Sequence, residues 1–146
     1  MSRKNKETIE QKIVGGFFRG VWWLVSLPFK GLRRRKKLTL EEKKYILAKK
    51  QEIEKSLSKE NQLELRHAVL EADKLVDWAL KECGYRGQTF ADRLRAAEKD
   101  IPKAVYNSIW RAHKIRNQIV HETESNLKGA ELKDAVYKFF IYLSQI

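Results

Sequence analysis

The sequence predicts an all-α protein: an up-down bundle of four to five helices, preceded by an N-terminal amphipathic or membrane helix. Three observations carry this. Only two prolines, Pro28 and Pro102, interrupt 146 residues, so long runs lack the residue that most disrupts a helix. Apolar side chains recur at three- and four-residue spacings, which lines them up on one helical face. Capping residues stand where those periodic runs begin, and a glycine ends the strongest of them.

The length suits one domain with an appendage. Thirty-one Lys and Arg against 19 Asp and Glu give a formal charge of +12, which favours anionic partners, either nucleic acid or acidic lipid headgroups. The excess is uneven. Residues 1–37 contain only two acids, Glu7 and Glu10, so the arm is strongly basic and the remainder only mildly so. A lone cysteine, Cys83, excludes an internal disulfide and offers no zinc cluster, and it fits a reducing compartment. There is no Gly-rich phosphate loop and no repeat, and no cofactor is implied.

The arm, 1–37, holds the most hydrophobic stretch, 13–29, IVGGFFRGVWWLVSLPF, with the single charge Arg19. A spanning helix wants about 20 apolar residues; this stretch is shorter and carries three glycines and Pro28. On a helical net Val14, Phe17, Phe18, Val21, Leu24 and Val25 share one side, while Lys12, Arg19 and Lys30 share the other. That pattern describes a helix lying in a membrane interface, with Phe17, Phe18, Trp22 and Trp23 as its membrane-binding aromatics. The run Arg33, Arg34, Arg35, Lys36 and Lys37 then meets an anionic leaflet, each cation adding about 1 kcal/mol of attraction. A short tilted span and a helix docked on its own bundle remain open alternatives. The basic run can also hold RNA electrostatically. The expectation is membrane association at the cytoplasmic face.

Thr39 and Glu42 form a capping box for a densely charged helix to about Ser58. Its stripe of Tyr45, Ile46, Ile53 and Leu57 is thin, so residues 38–60 are either a connecting stalk or the first bundle helix. Residues 61–83 read as a strongly amphipathic helix with Leu65, Val69, Ala72, Val76, Ala79, Leu80 and Cys83 inward, ended by Gly84. Asp73 lies at the margin of that stripe. Thr89 with Asp92 caps a short helix to about Asp100 that points Phe90, Leu94, Ala97 and Ile101 inward. The last helix, capped by Ser125 or Asn126, buries Leu132, Ala135, Val136, Phe139, Phe140 and Leu143.

Between them runs 102–122, PKAVYNSIWRAHKIRNQIVHE, with Pro102 where a missing N–H costs little. Stepping 100° per residue, Arg116 falls inside an aliphatic arc of Val105, Ile109, Ala112, Ile115, Ile119 and Val120. The adjoining face holds Tyr106, Trp110, His113, Asn117 and His121. A guanidinium among aliphatics demands a partner or an interface. Asp73 is the first candidate to pair it and Asp77 the second, with solvent-facing carboxylates the alternative. His113, Asn117 and His121 share a helical spacing that can ligate metal, but no carboxylate on that face completes the set, so no metal is expected.

Arg116, Asn117 and His121, within AHKIRNQIVHE, resemble the signature of the HEPN superfamily: Arg, four to six arbitrary residues, then His, often with Asn directly after the Arg. The match is short, but it lies on a late helix, after the acidic-apolar EADKLVDWAL and before one amphipathic helix. The resemblance implies a HEPN-like bundle over 61–146 and a homodimer in which two Arg-His motifs face each other across a groove. It also implies metal-independent RNA cleavage, the ribose 2′-hydroxyl attacking the adjacent phosphate to leave a 2′,3′-cyclic phosphate. Carried onto this chain, Arg116 holds the phosphate, His121 is the acid/base and Asn117 positions. Asp73 is the acidic partner that such a helix supplies. His113 becomes a second proton carrier, and Tyr106 and Trp110 stack a base or seal the dimer. In non-catalytic members of such a fold the same residues knit the bundle through buried hydrogen bonds, which leaves a membrane-bound interaction module as the other reading.

Overall fold

The helices of the bundle begin where side chains satisfy the free N–H groups of a first turn, and four starts show how. In this computed structural model, which describes residues 36–121 and 126–146, helix α1 runs Leu40–Ser58 behind the Thr39 cap. The Thr39 hydroxyl accepts the Glu42 N–H at 3.2 Å, and the Glu42 carboxylate accepts the Thr39 N–H at 2.6 Å. Helix α2, Gln62–Glu82, is capped by Asn61, whose side chain accepts the Leu63 N–H at 2.8 Å. Helix α3, Phe90–Ala96, repeats the reciprocal pair with Thr89 and Asp92. Helix α4 spans Lys103–His121 and follows Pro102 directly. Helix α5, Gly129–Leu143, starts later than expected. Its cap is Lys128, whose N–H donates to the Glu131 carboxylate at 2.8 Å. Ser125 lies outside the described residues, and Asn126 is exposed and precedes the helix.

Helix α3 also departs from expectation. It stops at Ala96 rather than near Asp100, and 97–100 are turns closed by Ala97, Glu98 and Asp100 N–H groups bonding back three residues. Pro102 disfavours helical backbone at the residue before it, so the chain corners here before α4 begins.

No strand occurs among the described residues, and the architecture is an all-α bundle built around α2, which packs against every other helix. Its predicted stripe is buried throughout, and Ala68 and Leu75 join it. Val69, Val76 and Leu80 are wholly shielded, each contributing about 2 kcal/mol of transfer free energy. Helix α5 supplies the opposite wall with Leu132, Ala135, Val136, Phe139 and Phe140, and adds the unexpected Tyr142.

The 38–60 segment is a bundle helix, not a stalk. Ile46, Ile53 and Leu57 are buried, Tyr45 meets Trp78 with centroids 4.6 Å apart, and Lys50 reaches Ser144 at 2.9 Å. The bundle therefore starts at buried Leu38 rather than at residue 61. Lys36, expected to meet lipid, has a side chain 53% exposed and also touches the bundle. Its ammonium bonds Glu42 at 2.9 Å and lies 3.8 Å from Glu82, while its N–H donates to the Cys83 carbonyl at 3.2 Å. Lys37 is exposed. Phe17, Phe18, Trp22, Trp23, Arg33, Arg34 and Arg35, with the whole stretch 13–29 where a helix is expected, lie outside the described residues. Among those described, no helix is long and apolar enough to cross a membrane.

Candidate cleft between the second and fourth helices

Asp73 stands on α2 directly after Ala72 and between Val69 and Val76, so the packing that buries the stripe takes the carboxylate with it. The residue is 4% exposed. A buried carboxylate is costly unless its oxygens are bonded, and both find partners on α4. The Nδ1 of His113 lies 2.7 Å from Oδ1, and the Nε of Arg116 lies 3.5 Å from Oδ2. Asn117 continues the chain of contacts, its Oδ1 accepting from Arg116 Nη1 at 3.0 Å. Arg116 keeps one-third of its side chain exposed, 33%, against 12% for His113.

The imidazole is held by more than its carboxylate. Phe90 stacks on it with centroids 4.1 Å apart and planes 7° from parallel, and Trp110 meets it edge-on at 6.1 Å. Phe90 is the first residue of α3, so the Thr89–Asp92 capping box sets where that ring stands. One turn beyond Asp73, Asp77 performs a different task. It accepts from both Nε and Nη2 of Arg93, at 2.8 and 2.7 Å, while Arg93 Nη1 donates to the Gly87 carbonyl at 2.6 Å. The hydrogen bond to Asp77 raises the Arg93 pKa above its ordinary value. Asp77, the second candidate for Arg116, is therefore taken by Arg93.

These groups line an open cleft of about 360 Å³ whose walls include Asp73, Thr89, Phe90, His113, Arg116 and Asn117. His121 does not reach it. Five residues of α-helix turn a side chain by about 140° from where it began, and His121 is exposed at the last position of α4. His113, three residues before Arg116, is only about 60° away. The imidazole beside the guanidinium is thus the one upstream of the Arg-Asn pair.

One further expectation needs correction, and a second residue is placed outside the cleft. Tyr106 is buried in the core at 6% exposure, with Lys103 over its ring, so it has no face to offer a base. Trp110 is half-buried, edge-on to Tyr106 and His113, with the Arg95 guanidinium 5.6 Å from its centroid. Neither lines the cleft. The contributions of Phe90 and Arg93 went unread in the sequence, although Thr89 as a cap and the Asp73–Asp77 spacing were signals for both.

A separate groove of about 350 Å³ between α1 and α2 is walled by Tyr45, Ile53, His67 and Trp78. Its charges are paired among themselves, Lys49 with Glu52 at 2.6 Å and Lys74 with Glu71 at 2.8 Å. Among the described residues no three His, Cys, Asp or Glu side chains gather to hold a metal ion. No protein-family model, curated protein or solved structure matches the chain. Function is therefore read from the chemistry of the cleft.

Proposed function

We propose that the chain is a membrane-tethered HEPN-like protein that acts on RNA as a homodimer, with the Arg116 cleft as its phosphate-recognising centre. In this reading the five helices form an up-down bundle, and residues 13–37 hold it at the cytoplasmic face of a membrane. The observation that carries the reading is the setting of Arg116. Its guanidinium is steadied by Asp73 and Asn117 yet one-third exposed, beside a fixed imidazole. A planar fork of donors in that position suits the oxygens of a phosphodiester as charge builds on them. His121, exposed on the end of α4, is free to face the cleft of a second copy, so that pairing two chains completes the Arg-x4-His motif. The reaction expected is metal-independent transesterification to a 2′,3′-cyclic phosphate.

A second reading, a non-catalytic membrane-bound dimerisation module, is favoured by one specific observation. Both oxygens of Asp73 are already taken by α4 side chains, an arrangement that also serves simply to knit two helices.

Labelled single-stranded RNA incubated with the full chain in the presence of chelator separates the two. Cleavage to cyclic-phosphate ends is expected, reduced about 10²- to 10³-fold by Arg116→Ala and also lowered by His121→Ala. Cleavage that both substitutions leave intact removes this site from the reaction. A dimer that leaves RNA uncut supports the module.

A further inference from the structure

We infer that Asp73 is the positioning residue of a proton-transfer pair with His113, and that His113 is the base this chain presents to a hydroxyl held in the Arg116 cleft. The inference rests on the RNA-cleaving reading above and assigns that reaction's base to a residue outside the Arg-x4-His signature.

The bonding pattern requires a particular tautomer. A carboxylate accepts hydrogen bonds and does not donate them, so the 2.7 Å contact with Asp73 Oδ1 puts a proton on His113 Nδ1. In the neutral ring Nε2 is then the lone-pair nitrogen, and it has no hydrogen-bond partner among the described residues. Ring rotation is restrained twice, by the carboxylate at one edge and by Phe90 stacked 4.1 Å away. The base-plus-orienter geometry is that of activated sites in general, where a third group fixes the imidazole. Other charged groups face the same space. Asp73, Lys74 and Asp77 come from α2, Arg93 from α3 and Arg116 from α4 itself. From α5 the Phe139 ring backs Phe90 edge-on at 6.5 Å. Arg93 and Asp77 are bonded to each other and Lys74 is paired with Glu71 at 2.8 Å, which leaves Arg116 as the cation for the substrate and His113 as the base.

In the step, His113 Nε2 takes the ribose 2′-hydroxyl proton while O2′ forms its bond to phosphorus. The P–O5′ bond breaks, and the departing O5′ takes a proton from a water held by His121 of the second copy, the group whose loss lowers cleavage. The hydroxide so formed removes the proton from the imidazolium, and the enzyme returns to its starting state. Arg116 donates to the non-bridging oxygens throughout.

Two measurements on the full chain test this. Nitrogen-15 spectra of the unaltered protein at neutral pH report the ring directly, and the proton is expected on Nδ1 of His113; a ring carrying it on Nε2 overturns the inference without recourse to any variant. Cleavage of labelled single-stranded RNA in chelator is then compared across substitutions. His113→Gln is expected to lower kcat about 10²-fold or more with KM little changed. Asp73→Asn, which can turn the ring to the other tautomer, should lower kcat with the same split, and Asp73→Glu should recover part of it. His67→Gln, on the α1 side of α2, should match the unaltered chain. Cleavage by His113→Gln within about threefold of the unaltered rate, set against the general-base contribution, overturns the base role and leaves the RNA reading standing. No cleavage by the unaltered chain overturns both together.

Discussion

Asp73 and Asp77 sit one helical turn apart on α2 and divide the two arginines of the cleft between them. Asp77 holds Arg93 with two parallel bonds, and the Gly87 carbonyl takes a third N–H of the same guanidinium. This ties α2, the turn before α3, and α3 itself through one side chain that is only 13% exposed. Arg93→Ala is therefore expected to lower unfolding stability by about 2–3 kcal/mol, since it removes charge-assisted bonds and strands a carboxylate; denaturant titration of the full chain measures it. Arg93→Lys should recover little, because an ammonium cannot reproduce the parallel fork. Asp73 instead shares its oxygens between His113 and Arg116. That Asp73 was a candidate partner for Arg116 followed from its place beside the apolar stripe. That His113 would take the shorter bond did not follow, because the choice between two α4 side chains depends on the lateral setting of α4 against α2.

At the level of the element, helix starts were legible and helix ends less so. Thr39 with Glu42 and Thr89 with Asp92 cap as their spacing implies, because a capping box is a contact within four residues and needs nothing from the rest of the chain. The α5 start was misplaced because the polar stretch before it offers several capping side chains, and Glu131 decides for Lys128. Gly84, at φ +89°, takes the left-handed position that closes α2 and that other residues enter only with strain. Gly87 is required for space: a Cβ there would stand 2.5 Å from that of Asp92 and 2.7 Å from the Arg93 nitrogen. The start of α1 carries a pH signature. The Thr39 N–H, followed by Lys36, holds the Glu42 carboxyl at a pKa of about 2, below its ordinary 4.5. A depressed carboxylate pKa contributes stability that is complete above the unfolded value and lost as pH falls through the folded one. The stability difference between the unaltered chain and Glu42→Gln is thus expected to hold near neutrality and to close between about pH 4.5 and 2. Thermal melts across that range follow it.

For the whole molecule, the distribution of charge sets the expected behaviour. The excess of basic over acidic residues concentrates before the bundle, alongside the aromatic 13–29 stretch, which is the composition of a segment drawn to anionic lipid. Full chain is expected to float with vesicles containing phosphatidylserine, and Trp22→Glu with Trp23→Glu to stay with the soluble fraction. Raising salt to about 1 M should weaken flotation by screening the cationic run. Equal flotation by the substituted chain removes the tether from the proposal.

The sequence by itself determined that the bundle is helical, which apolar positions on α2 and α5 face inward, and where the helices behind Thr39 and Thr89 begin. Those features depend on residues within a turn or two of one another, so periodicity and capping chemistry suffice to read them. Only the tertiary structure decided that His113 takes the shorter contact to Asp73, that Tyr106 is core, and that Asp77 belongs to Arg93. Each of those outcomes turns on how one helix is rotated and seated against another, and burial of the α2 stripe, rather than the spacing of any motif, is what sets that registry.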